Sequence, residues 1–185
     1  YSCQRDAWLD FEGRIERALR SVNQRQYIAE TFPVFEPNLG PDILSTIFGL
    51  MLEFEPSTSW GKPIVETIDE LLELTPNFEA SLWSAVERLQ KMAIEAGRGQ
   101  WITLYTDLHG NLDVPAALMG QENLCLAIAD EPEKVAQACR WVTSTCVEAY
   151  RRQIAPIAAE GLPYGGWILA FSEEPTYIPQ ADFSA

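Results

Sequence analysis

Trp101 to Gly120, WITLYTDLHGNLDVPAALMG, predicts an apolar strand that passes directly into a loop carrying Asp107, His109, Gly110, Asn111 and Asp113. In parallel α/β architectures the carboxyl end of a strand is where ligands and reactions are placed, because the scaffold beneath is rigid and the loop is free to vary. His109 is the only histidine in the chain. The same residues have a purely local use, in which Asp107 and Asn111 shape the turn and Asp113 caps the next helix, as short polar side chains often do. Both uses stay open at the level of sequence.

Upstream of this run, Pro76 fits a helix start, and Phe78, Leu82, Val86, Leu89 and Ala93 recur at three- and four-residue steps until Gly97 supplies the stop. Only Arg98, Gly99 and Gln100 separate that helix from the strand, a connection length normal for a helix feeding a parallel strand. Further back, a helix from Asp10 to about Gln24 precedes an extended stretch, Gln26 to Phe35, which runs into Glu36-Pro37-Asn38-Leu39-Gly40-Pro41. Asp42 follows that break, opens the run ILSTIFGLM, and has an N-cap as its simplest role. Leu52 to Pro63 reads as a loop with a short strand at most.

Downstream, Leu112 to Met119 forms a short helix ended by Gly120. Asp130 with Glu133 three residues later makes a capping-box-like start, and Val135, Cys139, Val142, Cys146, Ala149 and Ile154 form the stripe of a long helix that Pro156 should kink or end. Gly165 to Phe171 then reads as a glycine-rich strand followed by polar residues: Ser172, Glu173, Glu174 and, further on, Gln180 and Asp182. Alternating helices and strands predict an α/β fold with a parallel sheet under covering helices.

Length and composition limit the function classes. At 185 residues and 47% hydrophobic content the chain suits a single domain with a sizeable core. Its 27 acidic against 13 basic residues, a formal charge of −14, argue against nucleic acid as a partner. Arg14, Arg17, Arg20 and Arg25 are spaced like one helix face and interrupted by Glu12 and Glu16, the pattern of a solvated surface. Cys3, Cys125, Cys139 and Cys146 show no CxxC and no companion histidine at metal-ligand spacing. Cys139 and Cys146 would lie about 10 Å apart along one helix, too far for a disulfide. These two read as buried thiols of a reducing compartment. No apolar run approaches the roughly 20 residues a bilayer requires, so a cytoplasmic protein is expected. The chain opens at Tyr1 and stops at Ala185 shortly after a strand and loop, which reads as an internal fragment.

Two segments carry a family resemblance. Pro41-Asp42-Ile43-Leu44, followed by Phe48-Gly49-Leu50-Met51-Leu52-Glu53-Phe54, resembles the Asp-Ile-Leu, Leu-Gly, strand segment of the uroporphyrinogen decarboxylase superfamily. Leu112 to Asp130 with Pro132-Glu133-Lys134-Val135 is similar to that family's small-residue helix ending in glycine, its Glu-Asn-Leu, an aspartate, and then Asp-Pro-Glu-x-Val. Gln180 to Ala185 looks like the segment before the family's next helix.

The resemblance, over about residues 27 to 185, implies a (β/α)8 barrel of which this chain holds only the middle strands, since a whole barrel needs about 250 residues. It implies a tetrapyrrole or corrinoid ligand, and either porphyrinogen decarboxylation or corrinoid-dependent methyl transfer. A corrinoid protein and a second copy of the chain are the implied macromolecular partners. The family aspartate that contacts the pyrrole nitrogens falls on Asp42. Its Arg-Gln-Ala-Gly-Arg motif is nowhere in the chain, its active-site tyrosine falls on Ala116, and the serine after a later strand has Asp182 as its closest match. In the methyltransferase branch zinc is held by a histidine and cysteines in the C-terminal half of the barrel. None of the four cysteines here matches that motif, so no cofactor is expected on these residues. Asp42, His109 and Asp107 are the expected catalytic residues: Asp42 for the ring nitrogens, His109 for a proton, Asp107 for the imidazole tautomer. Asn111 and Asp182 are the expected substrate contacts. A non-catalytic corrinoid-binding or structural barrel is the remaining alternative.

Overall fold

The computed structural model describes residues 2–178 and 182–183. In chain order the elements are α1 (Gln4–Leu9), α2 (Phe11–Gln24), β1 (Val34–Phe35), a 3₁₀ helix (Pro41–Phe48), β2 (Leu52–Phe54), β3 (Ser59–Gly61), α3 (Ile68–Glu73), α4 (Ser81–Ala96), β4 (Ile102–Thr103), α5 (Asp113–Met119), α6 (Gln121–Asp130), α7 (Pro132–Ala159), β5 (Tyr164–Gly165) and β6 (Phe171–Ser172). This is a mixed helix–strand chain. Among the described residues its strands form three two-stranded sheets and no closed barrel. No helix among them is long and apolar enough to cross a membrane.

The chain divides into two compact units. The first comprises Tyr1–Asn38, Ala85–Asp107 and Arg151–Ile178. Asp10 opens α2 as its N-cap, its carboxylate accepting the Gly13 N–H at 3.0 Å, and Phe11 and Ile15 are buried. β1 and β4 pair in parallel, Val34 opposite Ile102 and Phe35 opposite Thr103. The Phe35 and Trp101 rings stack with centroids 5.5 Å apart. Buried Gln90 of α4 donates to Leu104 O at 3.3 Å and Gln153 O at 3.0 Å, and the Thr106 N–H donates to Gln153 Oε1 at 3.2 Å. These bonds supply partners for backbone groups just past β4, where the ladder stops.

Two expectations change in this unit. Gly165 to Phe171 is a hairpin rather than one strand: β5 and β6 pair antiparallel, Tyr164 opposite Ser172. Glycine permits the close packing there, since a Cβ on Gly165 would stand 2.6 Å from the Phe171 ring and one on Gly166 2.6 Å from Tyr105. Pro156 does not end α7, which continues to Ala159.

The second unit comprises Leu39–Ser84, Leu108–Tyr150 and Pro179–Ala185. Leu39, Ile43, Leu44, Ile47 and Leu50 are almost wholly buried around the 3₁₀ helix, and Phe48 packs on Trp141 with centroids 4.5 Å apart. Leu52 to Pro63 proves more regular than its composition suggests, because β2 and β3 form an antiparallel hairpin with Leu52 opposite Gly61. α3 carries a reciprocal cap. Thr67 Oγ1 accepts the Glu70 N–H at 3.2 Å and Glu70 Oε2 accepts the Thr67 N–H at 3.0 Å. α6 is unforeseen, and it corrects the reading of Asp130, which ends α6 instead of capping α7. Gly120, at φ 86°, supplies the corner between α5 and α6 that a residue with a Cβ adopts only under strain.

Candidate functional site

The second unit holds a cavity of about 420 Å³ whose polar lining is Asp42, His109, Asp113, Gln121 and Asp182. Each acid and the imidazole arrive by a local device. Gly40 takes φ 110°, ψ 167°, which turns the chain into Pro41 at the start of the 3₁₀ helix and sets Asp42 one residue later. Asp42 is therefore not the N-cap. Its Oδ2 instead accepts the Gly61 N–H of β3 at 2.9 Å, 19 residues away in sequence. His109, 8% exposed, ends the run that begins at Trp101. Its Nδ1 lies 3.6 Å from Asp182 Oδ2 and 3.9 Å from Asp113 Oδ2. Asp113 opens α5, yet its carboxylate is taken up elsewhere: both oxygens accept the Asp182 N–H at 3.0 Å, and Oδ1 accepts the Phe183 N–H at 2.6 Å. Ala116, Ala117 and Gly120 form the small-residue side of the cavity. Among the described residues that line it there is no lysine or arginine.

Burial pushes the Asp42 carboxyl above its ordinary range, and the like charge of Asp113 pushes the same way, against the Gly61 N–H and His109. A carboxyl raised in this way, lining the same cavity as an imidazole, makes a pair able to hold and pass a proton. The shift also has a sign for stability. A carboxyl raised in the fold stabilises it fully below the unfolded value, near pH 4, and that contribution is lost as pH rises through the folded value. Asp42→Asn keeps an acceptor for Gly61 and carries no charge. It should leave stability unchanged below about pH 4 and raise it near neutral pH. Thermal unfolding of the two proteins at both pH values checks this, and an equal difference at the two would contradict it.

Comparison with protein-family models, with curated proteins and with solved structures returns no match.

The expected site residues divide. Asp42, His109 and Asp182 line one cavity. Asp107 belongs to the first unit, where its N–H donates to the Glu36 carboxylate; burial first, and the nearby Asp107 charge second, push Glu36 up. The carboxylates measured within 4 Å of His109 Nδ1 are Asp113 and Asp182. Asn111 is exposed at φ 52°, a left-handed turn position that Asn tolerates better than most residues, so its local use is evident. Gln121 was not foreseen as a cavity residue, and Asp113 belonged to the loop whose use stayed open without being singled out as a site residue. The spacing of Asp113 from His109, four positions, was the available signal.

Among the described residues, no group of three or more His, Cys, Asp or Glu is arranged to hold a metal ion. Of the two cysteines expected to be buried thiols, Cys146 is buried and Cys139 partly so, while Cys3 and Cys125 are exposed.

Proposed function

We propose that the chain carries the ligand pocket of an enzyme of the uroporphyrinogen decarboxylase type, a (β/α)8 barrel acting on a tetrapyrrole-type substrate by proton transfer. The observation that carries this reading is that Asp42, the position matching the family's ring-nitrogen contact, and His109 line the same cavity. Ionised Asp42 accepts pyrrole N–H groups and balances the positive charge that develops when the ring takes a proton at carbon. His109 moves that proton. The electron pair of the bond to the departing carboxyl group then flows into the cationic ring, CO₂ leaves, and the new carbon terminus takes up a proton while the ring returns its own. Free thiols and the absence of a disulfide support a cytoplasmic setting.

Methyl transfer to or from a corrinoid is the second reading, and one observation favours it. A porphyrinogen's carboxylates call for guanidinium or ammonium partners, whereas the described lining has none and Ala116 stands where the family's tyrosine falls. That branch takes zinc from ligands other than these cysteines and a corrinoid protein as partner. Titrating the protein with uroporphyrinogen and with a methylated corrinoid, with metal content measured alongside, separates the two. Turnover of one substrate that falls in Asp42→Ala and His109→Ala supports the reading, and unchanged turnover in both variants overturns it.

A further inference from the structure

Asp113 and Asp182 both stand within 4 Å of His109 Nδ1, and they are not equivalent. The Asp113 side chain is 9% exposed, and its oxygens receive the backbone N–H groups of Asp182 and Phe183. The Asp182 side chain is 62% exposed and lies nearer the imidazole, at 3.6 Å against 3.9 Å. Backbone N–H groups donating to a carboxylate form strong, charge-assisted bonds, so Asp113 fixes the main chain from which Asp182 projects.

We propose that Asp182 is the counter-ion of His109 and that Asp113 is the positioning residue that holds it there. The inference deepens the proton-transfer reading and rests on it for its catalytic meaning. An acid facing Nδ1 favours the tautomer and orientation that leave Nε2 for the ligand. The acids facing His109 are Asp42 of the 3₁₀ helix, Asp113 of α5 and Asp182 of the C-terminal segment. Asp113 acts through Asp182.

Because His109 is the only histidine in the chain, a ¹⁵N NMR pH titration reads a single imidazole with no assignment problem and no substrate. Asp182→Asn should move the titration curve to lower pH and reduce the share of the Nδ1–H tautomer. Asp113→Asn keeps an acceptor oxygen for the two N–H groups and should move the curve less than Asp182→Asn. Asp113→Ala releases them, so it should move the curve at least as far as Asp182→Asn and speed hydrogen exchange at the Asp182 and Phe183 amides. The proposal is overturned if Asp182→Asn leaves the curve in place, or if Asp113→Asn moves it as far as Asp182→Asn, which marks a direct charge effect of Asp113. Should Asp113→Ala fail to fold, the two asparagine variants decide. Lack of turnover on either substrate would sink the function proposed above and leave this spectrum unaffected.

Discussion

His109→Gln should lower turnover by about 10²- to 10⁴-fold on whichever substrate the protein consumes, with little change in KM. Glutamine is near the imidazole in size and keeps a polar end group in the cavity, so ligand contacts survive while the titrating group is lost. A general acid–base group acts on the transition state more than on the bound ground state, which is why the loss falls on kcat. The substitution also removes the cation that stands opposite Asp113 and Asp182 when the imidazole is protonated. Thermal unfolding measured alongside separates loss of chemistry from loss of structure. A variant that folds and retains full turnover would remove His109 from the mechanism.

Gly40→Ala should destabilise the protein by roughly 3 kcal/mol, the largest stability effect expected of any substitution close to the site. At φ 110° and ψ 167° the backbone occupies a region that residues with a Cβ scarcely visit, costing about 1–3 kcal/mol. The added Cβ also overlaps Ser59 Oγ. That hydroxyl has little room to yield, because Ser59 is 1% exposed and donates to Leu39 O at 2.6 Å. Either the turn or the hydroxyl must move, and Asp42 lies two residues beyond the turn. Chemical denaturation of the variant reads the loss, and wild-type stability would show that the turn relaxes at no cost. Measured against Ser59→Ala, which by itself loses the bond to Leu39 O, the added Gly40→Ala should cost less than it does in the wild type, the difference being the part due to overlap with Oγ.

The elements read most accurately were those fixed by local physics. The helix starting at Asp10, Gly120 ending α5 and the strand at Trp101 each follow from a local chain signal or from a plain apolar run. The capping box at Thr67 and Glu70 was equally local, but its helix is only six residues long and leaves little periodicity to notice. The helix-capping role that is simplest for Asp42 and Asp113 fails for the opposite reason. Each sits at a helix start, where a short acid usually serves the helix, yet each is engaged by backbone N–H groups far along the chain, at Gly61 and at Asp182 and Phe183. No periodicity reports such partners. The expected parallel sheet is met only by β1 with β4 and is contradicted by the two antiparallel hairpins, which depend on turns and close ring packing that alternation alone does not encode. Asp42, His109 and Asp182 reached the cavity list by their chemistry and by resemblance, whereas the small-residue wall at Ala116 and Ala117 mattered only once the cavity had a shape.

The bonds from Asp182 and Phe183 to Asp113 span 69 and 70 residues. A ribosome making this chain therefore completes α5 well before the Asp182 wall of the pocket emerges from the exit tunnel. Until then the imidazole waits with only part of its carboxylate surroundings, and a nascent chain stalled or clipped short of residue 182 would lack the acid nearest that ring.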